Sequence, residues 1–199
     1  MNRKKMVAVA IVLLLILCIG GMMAYFTDTD TKTNVFTLGD NVEISITETW
    51  TAANGSGIHP GAVVTKAPKI KNDSTTTPAF VFAEIIVPCY ATTGTTANAP
   101  LFTFTANSEW TLINTPSVDA SNKTIKYVYA YGTSTAMTSL AANTTTSSAV
   151  FNSVTLVSTL TAAQKATANS TTNIVVNAYG IQTDGLGTAT TPSAIFDLF

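Results

Sequence analysis

The sequence predicts an all-β fold: a jelly-roll-like β-sandwich with one or two short helices, preceded by an N-terminal signal helix. Three observations carry this. Short apolar segments with a period of two recur between Gly-, Pro-, Asn- and Asp-rich turns, the spacing of a sandwich or barrel. The chain is rich in Thr, Ser, Asn and Ala and has no helical heptads, and Thr suits strands with one wet face. Ahead of all this lies a basic tip, Arg3, Lys4 and Lys5, followed by an apolar run over 6–19.

That opening reads as a secretory signal: positive charge, a short hydrophobic stretch, a Gly20-Gly21 break and a small residue near the exit. The expected cleavage positions are after Ala24 or after Tyr25, because Met22 fits poorly three residues before the cut. The alternative is an uncleaved anchor, since 6–26 approaches the roughly 20 apolar residues that span a bilayer. The Gly pair and the lack of a basic cluster after Ala24 favour cleavage. The organisation expected is a signal peptide over 1–24, a donor-strand segment over 25–39 and one sandwich domain over 40–199.

Within the domain, Val42, Ile44 and Ile46 alternate with Glu43, Ser45 and Thr47, a half-buried strand. Strands at 63–66 and 69–72 flank Pro68, which suits an edge or a bulge. The strongest strand, 79–88, has two apolar faces, Val81/Ala83/Ile85/Val87 and Phe80/Phe82/Ile86, and is expected to be central and covered on both sides. Glu84 sits on the second face and needs a partner there. Residues 91–100 read as a loop, 101–105 and 110–113 as short strands, and 118–123 as a turn. Tyr127, Tyr129 and Tyr131 alternate along a strand, expected as a sandwich face with wet hydroxyls, with glycan stacking as the alternative. A strand follows at 150–157, then a short helix at 161–166 capped by Thr159 or Thr161. A core strand at 174–182 and an apolar tail at 194–199 complete the chain.

Composition excludes several functions. Charged residues make up 11% and the net charge is −1, which disfavours nucleic acid or anionic lipid as a partner. Of the two cysteines Cys18 lies in the signal, so Cys89 has no partner for an internal disulfide and is expected to be a buried, inert thiol. The one histidine, His59, precedes Pro-Gly and reads as a turn residue. A catalytic zinc takes three protein ligands, usually with two or three histidines, so no metal site is expected. No G-x-S-x-G and no phosphate-binding Gly loop occurs, so catalytic residues and cofactors are expected to be none. The expectation is a protein that is not an enzyme.

Residues 26–38 are a polar strip with four apolar side chains, Phe26, Val35, Phe36 and Leu38. It cannot build a core by itself, yet its Thr and Val content suits a strand. Laid on an exposed sheet edge it would satisfy unpaired N–H and C=O groups, the mode called strand addition. The expectation is therefore a donor strand by which one copy joins the next; the rival is pairing of this strip within its own sheet.

The ordered set of segments Ala24-Tyr-Phe-Thr-Asp-Thr-Asp, Asn34-Val-Phe-Thr-Leu-Gly, Val42-Glu-Ile-Ser-Ile-Thr-Glu-Thr-Trp, Pro78-Ala-Phe-Val-Phe-Ala-Glu-Ile-Ile-Val-Pro and Ala178-Tyr-Gly-Ile-Gln-Thr-Asp-Gly resembles the TasA/camelysin family. The resemblance implies an exported jelly-roll subunit of biofilm-matrix fibres, processed by the dedicated SipW signal peptidase, in which an N-terminal strand completes the next subunit's sheet. The partners it implies are further copies of the chain, that peptidase during export, and other matrix proteins. The location it implies is extracellular, around a Gram-positive-type bacterium. Camelysin-like members are also described as surface metallopeptidases, which stays as the alternative function beside a glycan-binding module.

Overall fold

The computed structural model describes residues 41–91, 98–162, 164 and 173–199, all within the unit Gly39–Phe199. Eleven strands are described: β1 (Ile44–Thr47), β2 (Val63–Thr65), β3 (Lys69–Asn72), β4 (Ala79–Ala91), β5 (Asn98–Pro100), β6 (Phe102–Thr103), β7 (Trp110–Leu112), β8 (Ser117–Asp119), β9 (Thr124–Tyr131), β10 (Ser153–Leu156) and β11 (Val175–Gln182). One short helix, α1 (Pro192–Phe196), follows.

The main sheet runs β11-β4-β9-β7, with β5 paired to the far end of β4 and β8 paired to β9. All its pairings are antiparallel. Facing it are the β2-β10-β6 sheet and the β1-β3 pair. Val81, Ala83, Ile85 and Val87 of β4 share one core with Val64, Ile70, Phe102, Phe151 and Val154 of the facing layer. The other face of β4 carries Phe82, which is buried with Ala130 and Ile195, so α1 covers that side. The expectation of a central strand covered on both faces is met, and the reason is its alternation of two apolar sets.

Four segments differ from the sequence reading. Residues 98–100, read as loop, form a strand that pairs antiparallel with Cys89–Ala91. Residues 117–119, read partly as turn, pair with 124–126 because Asp119 accepts from Asn122 N at 2.9 Å and from its side chain at 2.7 Å, closing a tight hairpin. The strand read as core at 174–182 is an edge strand: among the described residues β11 pairs with β4 alone. The apolar tail forms α1, started by Thr191, whose hydroxyl accepts from Ala194 N at 3.3 Å, with Pro192 in the first turn. The expected helix at 161–166 lies largely outside the described residues. Its start is visible as a reciprocal cap, Gln164 N to Thr161 Oγ1 at 3.2 Å and Thr161 N to Gln164 Oε1 at 2.9 Å.

Candidate functional site

β1 pairs with β3 as far as Thr47–Lys69 and then stops. Glu48 turns aside to Lys66, whose Nζ lies 2.8 and 3.1 Å from the two carboxylate oxygens. The chain then winds through a 3-10 turn at Ala52–Gly55. Trp50 lies with its ring centroid 5.2 Å from Lys66 Nζ and its edge on Gly55, where a Cβ would come 3.1 Å from Cζ2. The outer edge of β2 is left without a strand partner among the described residues, and Val63 there is 67% exposed.

β11 flanks the same opening from the main sheet. At one end its inner face is small, and Val42 and Ile44 pack down on Gly180; a Cβ there would lie 2.7 Å from Ile44 Cγ2. At the other end, around 173–176, no such strand fills the space among the described residues. A groove of about 600 Å³ remains there, floored by Val64, Phe102, Val154, Ile174 and Val176. β11 carries no charge and no proline over its eight residues. Edge strands in soluble proteins are ordinarily blunted by Lys, Pro, shortness or a bulge. β2 has such protection, being three residues long and followed by Lys66 and Pro68. β11 has none. An apolar groove beside an uncharged strand edge that is unpaired among the described residues is chemically suited to receive an extended segment, with backbone hydrogen bonds for affinity and alternate side chains as pegs.

The other residues singled out from sequence have structural roles. Glu84 is paired with Lys126 Nζ at 3.1 Å and accepts from Asn177 Nδ2 at 3.0 Å and Tyr179 OH at 3.4 Å. The partner expected for it is present, as an ion pair. Burial, and after it the Glu84 charge, pushes the Tyr179 hydroxyl pKa up, so that hydroxyl stays a neutral donor. Tyr127 and Tyr129 face the shared core, their ring centroids 5.6 and 6.0 Å from that of Phe104. Tyr131 packs on Trp110 at 5.2 Å and its hydroxyl meets Ser147 Oγ at 2.8 Å. Rings committed to packing inside a sandwich do not make a stacking platform for a sugar. Cys89 is buried, and burial raises its thiol pKa, which keeps it protonated and a poor nucleophile. His59 is exposed in a turn closed by Ala62 N to His59 O at 2.9 Å.

Ala24, Tyr25, Phe26, Val35, Phe36 and Leu38, the expected cleavage and donor-strand residues, lie outside the described residues. Sequence reasoning named this donor segment but missed the groove. The groove depends on β1 stopping after Thr47, and nothing between Glu48 and Trp50 breaks a strand by residue type.

Residues 2–85 match the family model described as camelysin metallo-endopeptidase, a span that runs through β1, β2 and β3 into β4. No curated protein and no solved structure matches the chain. The family description implies a metal. The chain has a single histidine, and among the described residues no three His, Cys, Asp or Glu side chains are grouped so as to hold an ion. These residues do not fit a catalytic zinc, which needs three protein ligands. Among the described residues no helix is long and apolar enough to cross a membrane. The match over residues 2–85 supports the resemblance to the TasA/camelysin family read from the sequence.

Proposed function

We propose that this protein is a secreted structural subunit of extracellular fibres, in which the 25–39 segment of one copy adds as a strand to the β11 edge of the next. What carries the reading is the eight-residue, uncharged, proline-free edge of β11 opening onto an apolar groove. Phe26, Val35, Phe36 and Leu38 supply the apolar pegs, each worth roughly 1.5–3 kcal/mol when fully buried. Ordering the segment costs about 1–2 kcal/mol per residue, so pegs alone do not suffice. The backbone ladder and the apolar floor of the groove supply the remainder. The signal segment sets the timing: while it is attached, the donor strand is tethered to the membrane and cannot reach a neighbour. The 25–39 segment is also too polar to build a core by itself, which suits it to pairing with another copy's edge.

The test compares a chain beginning at Tyr25 with one beginning at Asp40, at matched concentration, by negative-stain electron microscopy. Fibres are expected only from the longer chain. Equal assembly by the shorter chain would end the donor-strand reading. The metallopeptidase alternative is checked on the same Tyr25 preparation by metal analysis and casein turnover. Metal-free, inactive protein is the expected result.

A further inference from the structure

One wall of the acceptor groove is not built like the rest of the domain. Residues 48–58 lie beside the bare edge of β2, and Trp50, Gly55 and Ile58 line the groove from that side. Among the described residues the segment's backbone hydrogen bonds are local: those of the 3-10 turn, with Asn54 N to Thr51 O at 3.0 Å and Ser56 N to Ala53 O at 3.3 Å. No ladder ties the segment to either sheet. Side chains hold it: the Glu48–Lys66 ion pair, the Lys66 cation over the Trp50 ring, and the Trp50 edge on Gly55. The ion pair is largely screened from water, with side-chain exposures of 12% and 16%. A buried pair of this kind fixes geometry more than it adds net stability, because separating it into water restores the hydration of both charges. Trp50 itself is 38% exposed. A segment held by few side-chain contacts and no ladder belongs to the low-stability end of a fold.

We infer that residues 48–58 form a movable strap over the acceptor groove, with Trp50 as its latch, and that an incoming strand seats only when the strap lifts. This inference rests on the assembly reading above and adds its control. In the closed state Trp50 narrows the groove and the segment lies along β2. In the open state the floor at Val64, Phe102 and Val154 becomes accessible to the incoming strand. The apparent affinity for the strand is then its intrinsic affinity scaled by the fraction of open subunits. Gly55 is the natural place to shift that fraction. Its φ is not in the left-handed region, so alanine is tolerated by the backbone. The added Cβ would press 3.1–3.3 Å from the Trp50 ring and push it off.

The test uses the chain beginning at Asp40, which lacks the donor segment, and a synthetic peptide of residues 26–38. Peptide binding is read from the anisotropy of a dye on the peptide, and strap movement from tryptophan emission of the protein. The expected result is an emission change that tracks binding and is lost in Trp50→Phe, since the other tryptophan, Trp110, is buried away from the groove. Gly55→Ala is expected to bind the peptide several-fold more tightly. Binding with no Trp50-dependent emission change and unchanged or weaker affinity in Gly55→Ala overturns the strap and leaves the assembly reading standing. Absence of peptide binding in all variants overturns both.

Discussion

Replacing Val176 by Lys is expected to abolish fibre formation while the subunit stays folded. Val176 is opposite Ile85 on β11 and lines the groove, and it is only partly buried. A lysine there stays bearable in the free subunit, because its long stem can carry the ammonium out through the open groove to water. The expected cost to folding is about 1 kcal/mol, within the ordinary range for a point change. Once a strand is laid on the edge that escape is closed, and a charge would have to be buried without a partner. An edge lysine is also the device by which soluble sheets keep other chains away. The check is electron microscopy of the Tyr25-start variant beside its circular dichroism and thermal melt. Unimpaired fibres would remove β11 from the joint.

The largest effect on stability is expected from Phe82→Ala. Phe82 is fully buried on the outer face of β4, with its ring centroid 5.2 Å from that of Phe196 and 5.8 Å from that of Phe199. Tyr179 closes the same cluster, at 5.6 Å from Phe196 and 5.5 Å from Phe199. Deleting the central ring removes its own burial and loosens α1, a five-residue helix that depends on packing against β4 and its neighbours. A buried Phe→Ala change costs about 3–5 kcal/mol, a large share of the roughly 5–15 kcal/mol that holds a domain together. At about 2–4 °C per kcal/mol for a domain of this size, the melting temperature should drop by on the order of 10 °C. Urea titration gives the free energy directly. A loss under about 1 kcal/mol would mean that the aromatic cluster contributes little to closing that face.

The sequence was most informative where side-chain pattern alone decides the structure. The two apolar sets of 79–88 announce a strand buried on both faces, and one carboxylate among them demands a partner. The demand was legible, but its answer was not. Lys126 sits on β9 opposite Ile86, not opposite Glu84, while Asn177 stands directly across on β11. Only the register brings the three together. β8 was hidden for a different reason: all three of its side chains are exposed, so no apolar alternation marks it. It is a strand because β9 offers it an edge. β11 misled in the opposite sense. Its apolar content reads as a core strand, yet that content faces β1 at one end and an open groove at the other. Missing charge on an edge is visible in sequence only once the strand is known to be an edge, and that knowledge comes from the pairing of β4 with β11 and β9.

The central claim, that one copy gives a strand and the next receives it at β11, is tested most directly by mixing two crippled chains. The Tyr25-start Val176→Lys chain keeps its donor segment and loses its acceptor; the Asp40-start chain keeps its acceptor and has no donor. Light scattering after size-exclusion chromatography should find each alone as a monomer and the mixture as a one-to-one dimer that grows no further. A mixture that stays monomeric, or a dimer formed by either chain alone, would contradict the account.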